Sequence, residues 1–508
     1  MTLSATHKQK IFQTLLLVCI GIAVFYYRYR LLLAYSFLYT DSDQNIMWGG
    51  LKDYASGVFR EPRFYGQRYN SFLEALLAIP LYRVGYQAYT ALPFISMCLT
   101  LFPFYYLGLL TLLRRSAFYA FLIVSMPLFL PFEYGVITSM PRGFVTGLPF
   151  AAIACTPIFY EKEKRFFMLS GMMSVIGISL NSNVVLLVLP CLLYLWLTNL
   201  KNVSFYFWMG LGLMLAGSLH WAVGRFYESH PFYDIHPMTL SFEWEKLING
   251  LKNINDFINY DAPFFWHHGV IALLVPVLYA VFFYKQKNVM AMLTVLAMLL
   301  LLLFSFGFNK IYDGTDSLHF HSARMFITIP LLWVFCFILT KPTYEPMAVY
   351  LVVLLPWHYY KIQTASIEEN VGQLVKQKTT EVVIVSPVKP ILSNCKSLNE
   401  IALKHQVELF VVVNHFYADA YASGCAACFD TFPKTLNTNF ERRTWRLLED
   451  EKKVYRQIML IDMFQKIDTT LGIVKKLPGV GDLYLVQNNH LKTMQLLDTL
   501  HIAYRRFR

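Results

Sequence analysis

Long apolar runs alternate with short polar turns over roughly the first 360 residues, and many of those turns carry lysine or arginine. A bilayer core needs about 20 apolar residues per helix, somewhat fewer for short crossings. On that ruler the pattern predicts spans near 11–27, 91–113, 116–132, 143–160, 166–181, 183–199, 205–223, 268–284, 289–306, 323–340 and 346–360. The run at 71–85 is apolar but short, and reads as a re-entrant or interfacial helix. From residue 361 the period changes. "EVVIVSPVK" and "ELFVVVNHF" read as buried strands, "NEIALKHQ" and "TMQLLDTLHIAYRRF" as helices, and "ERRTWRLLEDEKKVYRQI" as a charged helical face. The expected fold is a polytopic α-helical membrane protein with a small C-terminal α/β extramembrane domain. Residues 1–360 form the transmembrane module of about eleven spans, with a first outer loop at 28–90, and 361–508 form the outer-side soluble domain.

Charge fixes the expected orientation. With a cytoplasmic N-terminus, the inner connections hold Lys8 and Lys10, Arg114 and Arg115, Lys162, Lys164 and Arg165, Lys201, Lys285 and Lys287, and Lys341. Each is a short turn with Lys or Arg, as the positive-inside rule asks, and counting 71–85 as a span would invert everything after it. The first run is followed by Arg28 and Arg30 rather than by a small-residue cleavage site, so it reads as a retained span. Composition agrees: 56% hydrophobic and 15% charged residues in 508 is too apolar for a soluble chain of this length. The net charge of +12 lies in inner turns and in the C-terminal domain without a basic and aromatic repeat, which argues for contact with the lipid bilayer and against nucleic acid. No internal repeat and no broken-helix pair of the transporter kind is read from the pattern.

The polar chemistry gathers on the expected outer side. Asp41 and Asp43 follow the first span; Glu74 lies in the apolar "SFLEALL"; Arg142 stands in "PFEYGVITSMPRG"; "LNSN" interrupts the apolar pattern at 180–183; His319, His321 and Arg324 lie in "DSLHFHSAR". A partly desolvated carboxylate can take a proton from an attacking acceptor, and an arginine can hold a departing phosphate through two parallel hydrogen bonds. Asp43 or Asp41 is the candidate base, and Arg324 or Arg142 the candidate phosphate holder. Several readings stay open at this level. An Asp pair after a first span also marks the water boundary; Asp41-x-Asp43 could hold a divalent metal; His319-x-His321 could bind metal or be an interfacial pair; Glu74 could be functional or sit at the rim of its helix. Cys425 and Cys428 in "GCAACFD" would face an oxidising compartment and are a disulfide candidate, against two plain buried thiols.

The run "FYGQRYNSFLEALLAIPLYRVG" at 64–85, after a first span and an acidic loop, resembles the lipid-linked-sugar-dependent glycosyltransferases of the GT-C superfamily. The branch it looks like is the bacterial protein-mannosyltransferase-like and aminoarabinose-transferase-like group. That group's acidic pair is here Asp43-Gln44, its Tyr-Gly-Gln stretch is Tyr65-Gly66-Gln67 followed by Arg68, and its Leu-Glu-Ala helix is Leu73-Glu74-Ala75. "SMPRGFVTGLPF" and "SARMFITIPLLWV" look like the Arg-Gly outer turn and the late span opened by an Arg. The likeness covers roughly 8–360 and departs at Gln44, where the family pair has Glu. It implies a GT-C-like fold and an inverting transferase that moves a sugar from a polyprenyl-phosphate carrier to an acceptor (glycan, lipid or protein) on the outer face of the membrane. Asp43 and Asp41 would be catalytic, with Tyr65, Gln67, Arg68, Glu74, Arg142, His319, His321 and Arg324 on the substrate. The one cofactor candidate is a divalent metal on Asp41 and Asp43. The compact inner turns and this branch point to a bacterial inner membrane with a periplasmic C-terminal domain; an endoplasmic reticulum membrane is the alternative. A glycolipid transporter or flippase and a non-catalytic GT-C relative are the rival functions.

Overall fold

The computed structural model describes residues 5–160, 163–233, 240–258, 271–308, 326–340, 346–377, 386–413, 424–438, 453–462, 467, 473–478 and 482–504. His319, His321 and Arg324 lie outside them.

The chain opens with α1 (Ala5–Leu31), continues through a π-helical turn at Leu32–Ser36, and reaches a two-residue strand, β1 (Tyr39–Thr40). α2 (Ser42–Ala55) follows directly. The next stretch is irregular up to α3 (Leu73–Arg83), which is too short to cross and fits the expected interfacial helix. α4 (Ala88–Arg114) returns through the apolar layer, and α5 (Ala117–Phe129) and α6 (Phe132–Ser139) come next. After the turn at 140–147 come α7 (Leu148–Ala154), α8 (Lys164–Leu180), α9 (Val185–Thr198) and α10 (Val203–Ser229). Close approach of α8 and α10 depends on small residues. A Cβ on Gly212 would stand 2.1 Å from the Met168 carbonyl oxygen, the kind of backbone contact that packs helices in lipid.

Three described helices are long and apolar enough to cross a membrane: Gln9–Ser36, Ala88–Arg114 and Val203–Ser229. The outward sides of α10 carry Leu213, Met214, Leu215 and Leu219 exposed, as a lipid-facing helix requires. The eleven expected spans are not all full-length helices. Leu148–Ile158, Ser182–Thr198, Leu273–Lys285, Val289–Ser305 and Ile329–Leu339 are apolar but shorter. The expected span at 116–132 is in fact a broken element, because α5 and α6 meet at 85°. Leu130 and Pro131 at the break are extended, and a proline cannot continue the ladder of the preceding turn. The freed carbonyls are not left bare: Lys361 Nζ donates to those of Leu128 and Leu130.

The C-terminal part builds the expected small sheet domain, with strands in the order β4 (Lys434–Asn437), β3 (Leu409–Val413), β5 (Gln457–Asp462), β7 (Asp482–Gln487) and β6 (Val474–Leu477). β3 is parallel to both β4 and β5, while β7 is antiparallel to β5 and β6. "LFVVV" is continuously apolar because both faces of its strand are covered. Leu409, Val411 and Val413 pack with Leu496 and Leu497, and Phe410 and Val412 pack with Cys395 and Leu398. Three details differ from the sequence reading, and the first is that the last helix covers only Thr493–Thr499, with 501–504 not helical. Arg456 and Gln457 lead into a strand rather than ending a charged helix. Of the first expected strand, only Ser386–Pro387 (β2) is extended among the described residues, and Val388 already opens the helix Val388–Lys404.

The disulfide is also different. It joins Cys395 to Cys425, 30 residues apart in sequence, and Cys428 remains a thiol. Cys395 lies on the buried face of the helix Val388–Lys404, where its Cα is 4.9 Å from that of Cys425, a separation a disulfide bridges without backbone movement.

β2 does not belong to the five-stranded sheet. It pairs antiparallel with β1, Tyr39 opposite Pro387 and Thr40 opposite Ser386. The loop after α1 and the start of the sheet domain therefore lie side by side.

Candidate functional site

The site begins where β1 ends. Asp41 is extended (φ −139°, ψ −179°) and caps α2, its Oδ1 accepting from the Gln44 backbone N–H at 3.1 Å. An Asp at this position satisfies one of the orphan N–H groups of a helix start. Its other oxygen, Oδ2, accepts from Gln44 Nε2 at 2.5 Å, from Arg142 Nε at 3.1 Å and from Arg142 Nη2. Asp41 and Arg142 are each 3% exposed, so the ion pair is inside the protein. Burial alone would push the Asp41 carboxyl up, but the Arg142 guanidinium and the Gln44 donors together hold it below the ordinary range.

The turn that carries Arg142 is fixed from the opposite side by Glu74, at the start of α3. Gly143 N–H donates to both oxygens of Glu74, at 2.9 and 3.2 Å, and Ser96 Oγ of α4 donates to Oε1 at 3.3 Å. Glu74 is fully buried, and burial pushes its carboxyl up to about 8 against the lowering effect of these donors. The folded state thus binds that proton more tightly than the unfolded chain does. Its contribution to stability is complete below the ordinary value of 4.5 and is lost as pH rises through about 8. Melting temperature in detergent should fall across this window, and Glu74→Gln, which cannot titrate, should flatten the slope.

Gly143 is the pivot. Its φ of +81° lies in the left-handed region, and a Cβ there would come within 3.1 Å of the Ser71 carbonyl oxygen. Gly143→Ala should lower stability by roughly 1–3 kcal/mol, read by thermal melting. Asn181 Nδ2 donates to the Gly143 carbonyl at 2.9 Å and reaches Asn70 Oδ1 at 3.4 Å, and Asn70 Nδ2 donates to Gln67 Oε1 at 3.1 Å. The "PRG" turn is thereby tied to Asp41, Glu74, Gln67 and the "LNSN" segment.

The structure thus brings Asp41, Glu74, Arg142 and Gln67 together. Asp43 stands in the first turn of α2, half-buried, two residues from the ion pair. Tyr65 is buried and donates its hydroxyl to Asp53 Oδ2 at 2.7 Å, its ring lying edge-on to Phe72 with centroids 4.5 Å apart; Arg68 is exposed. Sequence reasoning missed Ser96 and also Glu61, which is fully buried, accepts from Gly66 N–H at 3.1 Å and Tyr227 Oη at 3.0 Å, and holds the Tyr-Gly-Gln loop against α10. Neither stands in a motif. "LNSN" was visible only as a polar interruption.

A divalent metal shared by Asp41 and Asp43 does not fit Asp41. Its two oxygens already accept from Gln44 and Arg142, and a guanidinium lies where a second cation would have to approach.

No family model matches the chain, and no curated protein matches it in sequence. Among solved structures, ArnT from Cupriavidus metallidurans, in its apo state, superposes with a TM-score of 0.50, covering 93% of this chain and 97% of that one at 10% identity. The chain has an ArnT-like fold. The superposition spans the sheet domain as well as the helices. At 10% identity the ArnT-like likeness speaks for the architecture, and the chemistry has to come from the residues described above.

Proposed function

We propose that this protein is an integral membrane glycosyltransferase that moves a sugar from a polyprenyl-phosphate carrier, with inversion, to an acceptor on the outer face of the membrane. ArnT is a GT-C aminoarabinose transferase, and a lipid-linked donor accords with the shared fold. The observation that carries the reading is the buried Asp41–Arg142 pair with Glu74 behind it, which joins the first outer loop to the second outer turn and sets Asp43 beside them.

The roles follow from the contacts. Asp41 is already saturated with donors and is a poor base, so it acts as a positioning residue with Arg142 and Glu74. Asp43 is the general base that takes the proton of the acceptor hydroxyl or amine as it attacks the sugar carbon. Arg142 is committed to Asp41, so the departing lipid phosphate is assigned to Arg324 and the exposed Arg68 to the donor; Tyr65, buried and bonded to Asp53, shapes the loop and does not touch the donor. The compartment is a bacterial inner membrane, with the sheet domain in the periplasm, where the Cys395–Cys425 bond is stable.

Membranes carrying wild type or Asp43→Asn at matched levels are given a pool of polyprenyl-phosphate sugars and cell-envelope extract, and each carrier is followed by mass spectrometry. One donor consumed by the wild type and spared by the variant supports the reading and names the sugar. Equal consumption removes Asp43 from the base role, and no consumption by either favours a non-catalytic relative.

A further inference from the structure

We infer that the sheet domain works as a strap over the first outer loop, that the Cys395–Cys425 disulfide is its buckle, and that Lys52 is a positioning residue of the transfer reaction. The inference rests on the proposed role of Asp43, and its test separates the two.

α2 is held at both ends by the same domain. At its start, β2 pairs with β1, and Val388 N–H donates to the Leu38 carbonyl at 2.8 Å, three residues before the Asp41 cap. At its end, Lys52 Nζ donates to the carbonyls of Ala426 and Phe429 and stands 3.1 Å from Asp430 Oδ1. Tyr82 of α3 adds a hydrogen bond from its hydroxyl to the Ala427 carbonyl at 3.4 Å. Between these anchor points Val388 and Ala427 enter one apolar cluster with Ile46, Met47, Trp48 and Leu51, all on α2.

The two anchors come from distant parts of the domain. One is the start of the helix Val388–Lys404, the other is the turn at 424–430, and the only covalent tie between them short of the connecting chain is Cys395–Cys425. Without that bond only the Asn399–Thr431 hydrogen bonds and the apolar packing of Leu398 with Ala426, Phe429 and Phe432 keep the two anchors in step. With it, they form a closed band, and the helix that carries Asp43 cannot shift along its axis or tilt without breaking the strand pair or pulling Lys52 off its carbonyls. A displacement of about 1 Å at a reacting group can cost on the order of 10²-fold in rate, so a band of this kind acts on turnover before it acts on substrate affinity.

The bond also ties the site to its compartment. Both cysteines are fully buried, so the bond closes while the domain folds, and a chain retained in a reducing compartment would carry an unbuckled loop.

The test uses the full-length protein in lipid nanodiscs: wild type, Cys395→Ser/Cys425→Ser, Lys52→Met, and Cys428→Ser as a control. Two quantities are read, kcat and KM for the donor, and the rate at which a protease cuts the irregular segment after α2. We expect the double-serine protein to lose about 10²-fold in kcat and Lys52→Met about tenfold, with KM little changed. Both should be cut faster, and Cys428→Ser should match the wild type. Unchanged kcat and unchanged cutting in the double-serine protein would overturn the strap. If that protein does not accumulate, Lys52→Met decides alone by the same two readings. If the wild type consumes no donor, the transfer reading falls while the cutting rates still judge the strap: faster cutting in the variants sustains it, and equal cutting ends it.

Discussion

An Asp43→Asn protein should fold and reach the membrane at wild-type levels, yet turn over its donor about 10² to 10⁴ times more slowly, the range that general base assistance supplies. The change is isosteric and removes only the capacity to accept a proton. Asp43 lies in the first turn of α2, but the cap of that helix is Asp41, so the helix start does not depend on it. The comparison that makes the result specific is Asp41→Asn. There the lost charge leaves Arg142 buried without its counter-ion, so the defect should show first in melting temperature and only through it in rate. Initial rates and melting curves on the two proteins at matched amounts separate the roles; a rate loss in Asp41→Asn with an unaltered melt would reverse the assignment.

Arg142→Met should be the most destabilising single change in the outer loops, costing about 3–5 kcal/mol, because removing one partner of a buried ion pair leaves an uncompensated charge. Asp41 would keep the Gln44 donors but lose the guanidinium that holds its carboxyl down, so burial would then drive it to take up a proton. The variant should consequently recover stability as pH is lowered, the opposite of what an intact Asp–Arg pair does. The double variant Asp41→Asn/Arg142→Met should recover much of the loss, since it removes both charges. Melting in detergent across the four proteins closes a double-mutant cycle; additive losses would mean that the pair contributes nothing as a pair.

Much of this arrangement is legible in the sequence. Asp41, Glu74 and Arg142 stand out because charged residues are scarce in so apolar a chain, and all three prove to be buried around one turn. Their mutual distances were not legible. Asp41 and Arg142 are 101 positions apart, and no periodicity links the cap of α2 to the turn between α6 and α7. Gln44 looked like a loss from the acidic pair. In place it is a donor to Asp41, where a glutamate would set a second carboxylate against the first. The pairing of Cys425 was unreadable for a related reason. Spacing suggested its neighbour Cys428, but the partner is chosen by which helix face packs on the sheet, and that places Cys395 beside it. The expected spans are broken or shortened where proline and π-helical turns interrupt apolar runs, which hydropathy averages over.

The short helix after the site has a consequence for depth. Leu148–Ile158 begins just beyond the Arg142–Gly143 turn and, at 1.5 Å per residue, rises only about 16 Å, roughly half of a hydrocarbon core. Its far end is pinned by two arginines: Arg115 Nη2 donates to the Ile158 carbonyl at 2.6 Å, and the Arg114 guanidinium lies 4.4 Å from the centre of the Tyr160 ring. The Asp41–Arg142 pair and the Arg114–Arg115 turn are thus linked by one short helix, much less than a full crossing. If the proposed transfer holds, a helix this short keeps the loop that carries Asp43 close to the apolar layer, so a polyprenyl carrier could present its phosphate with its chain left among the helices.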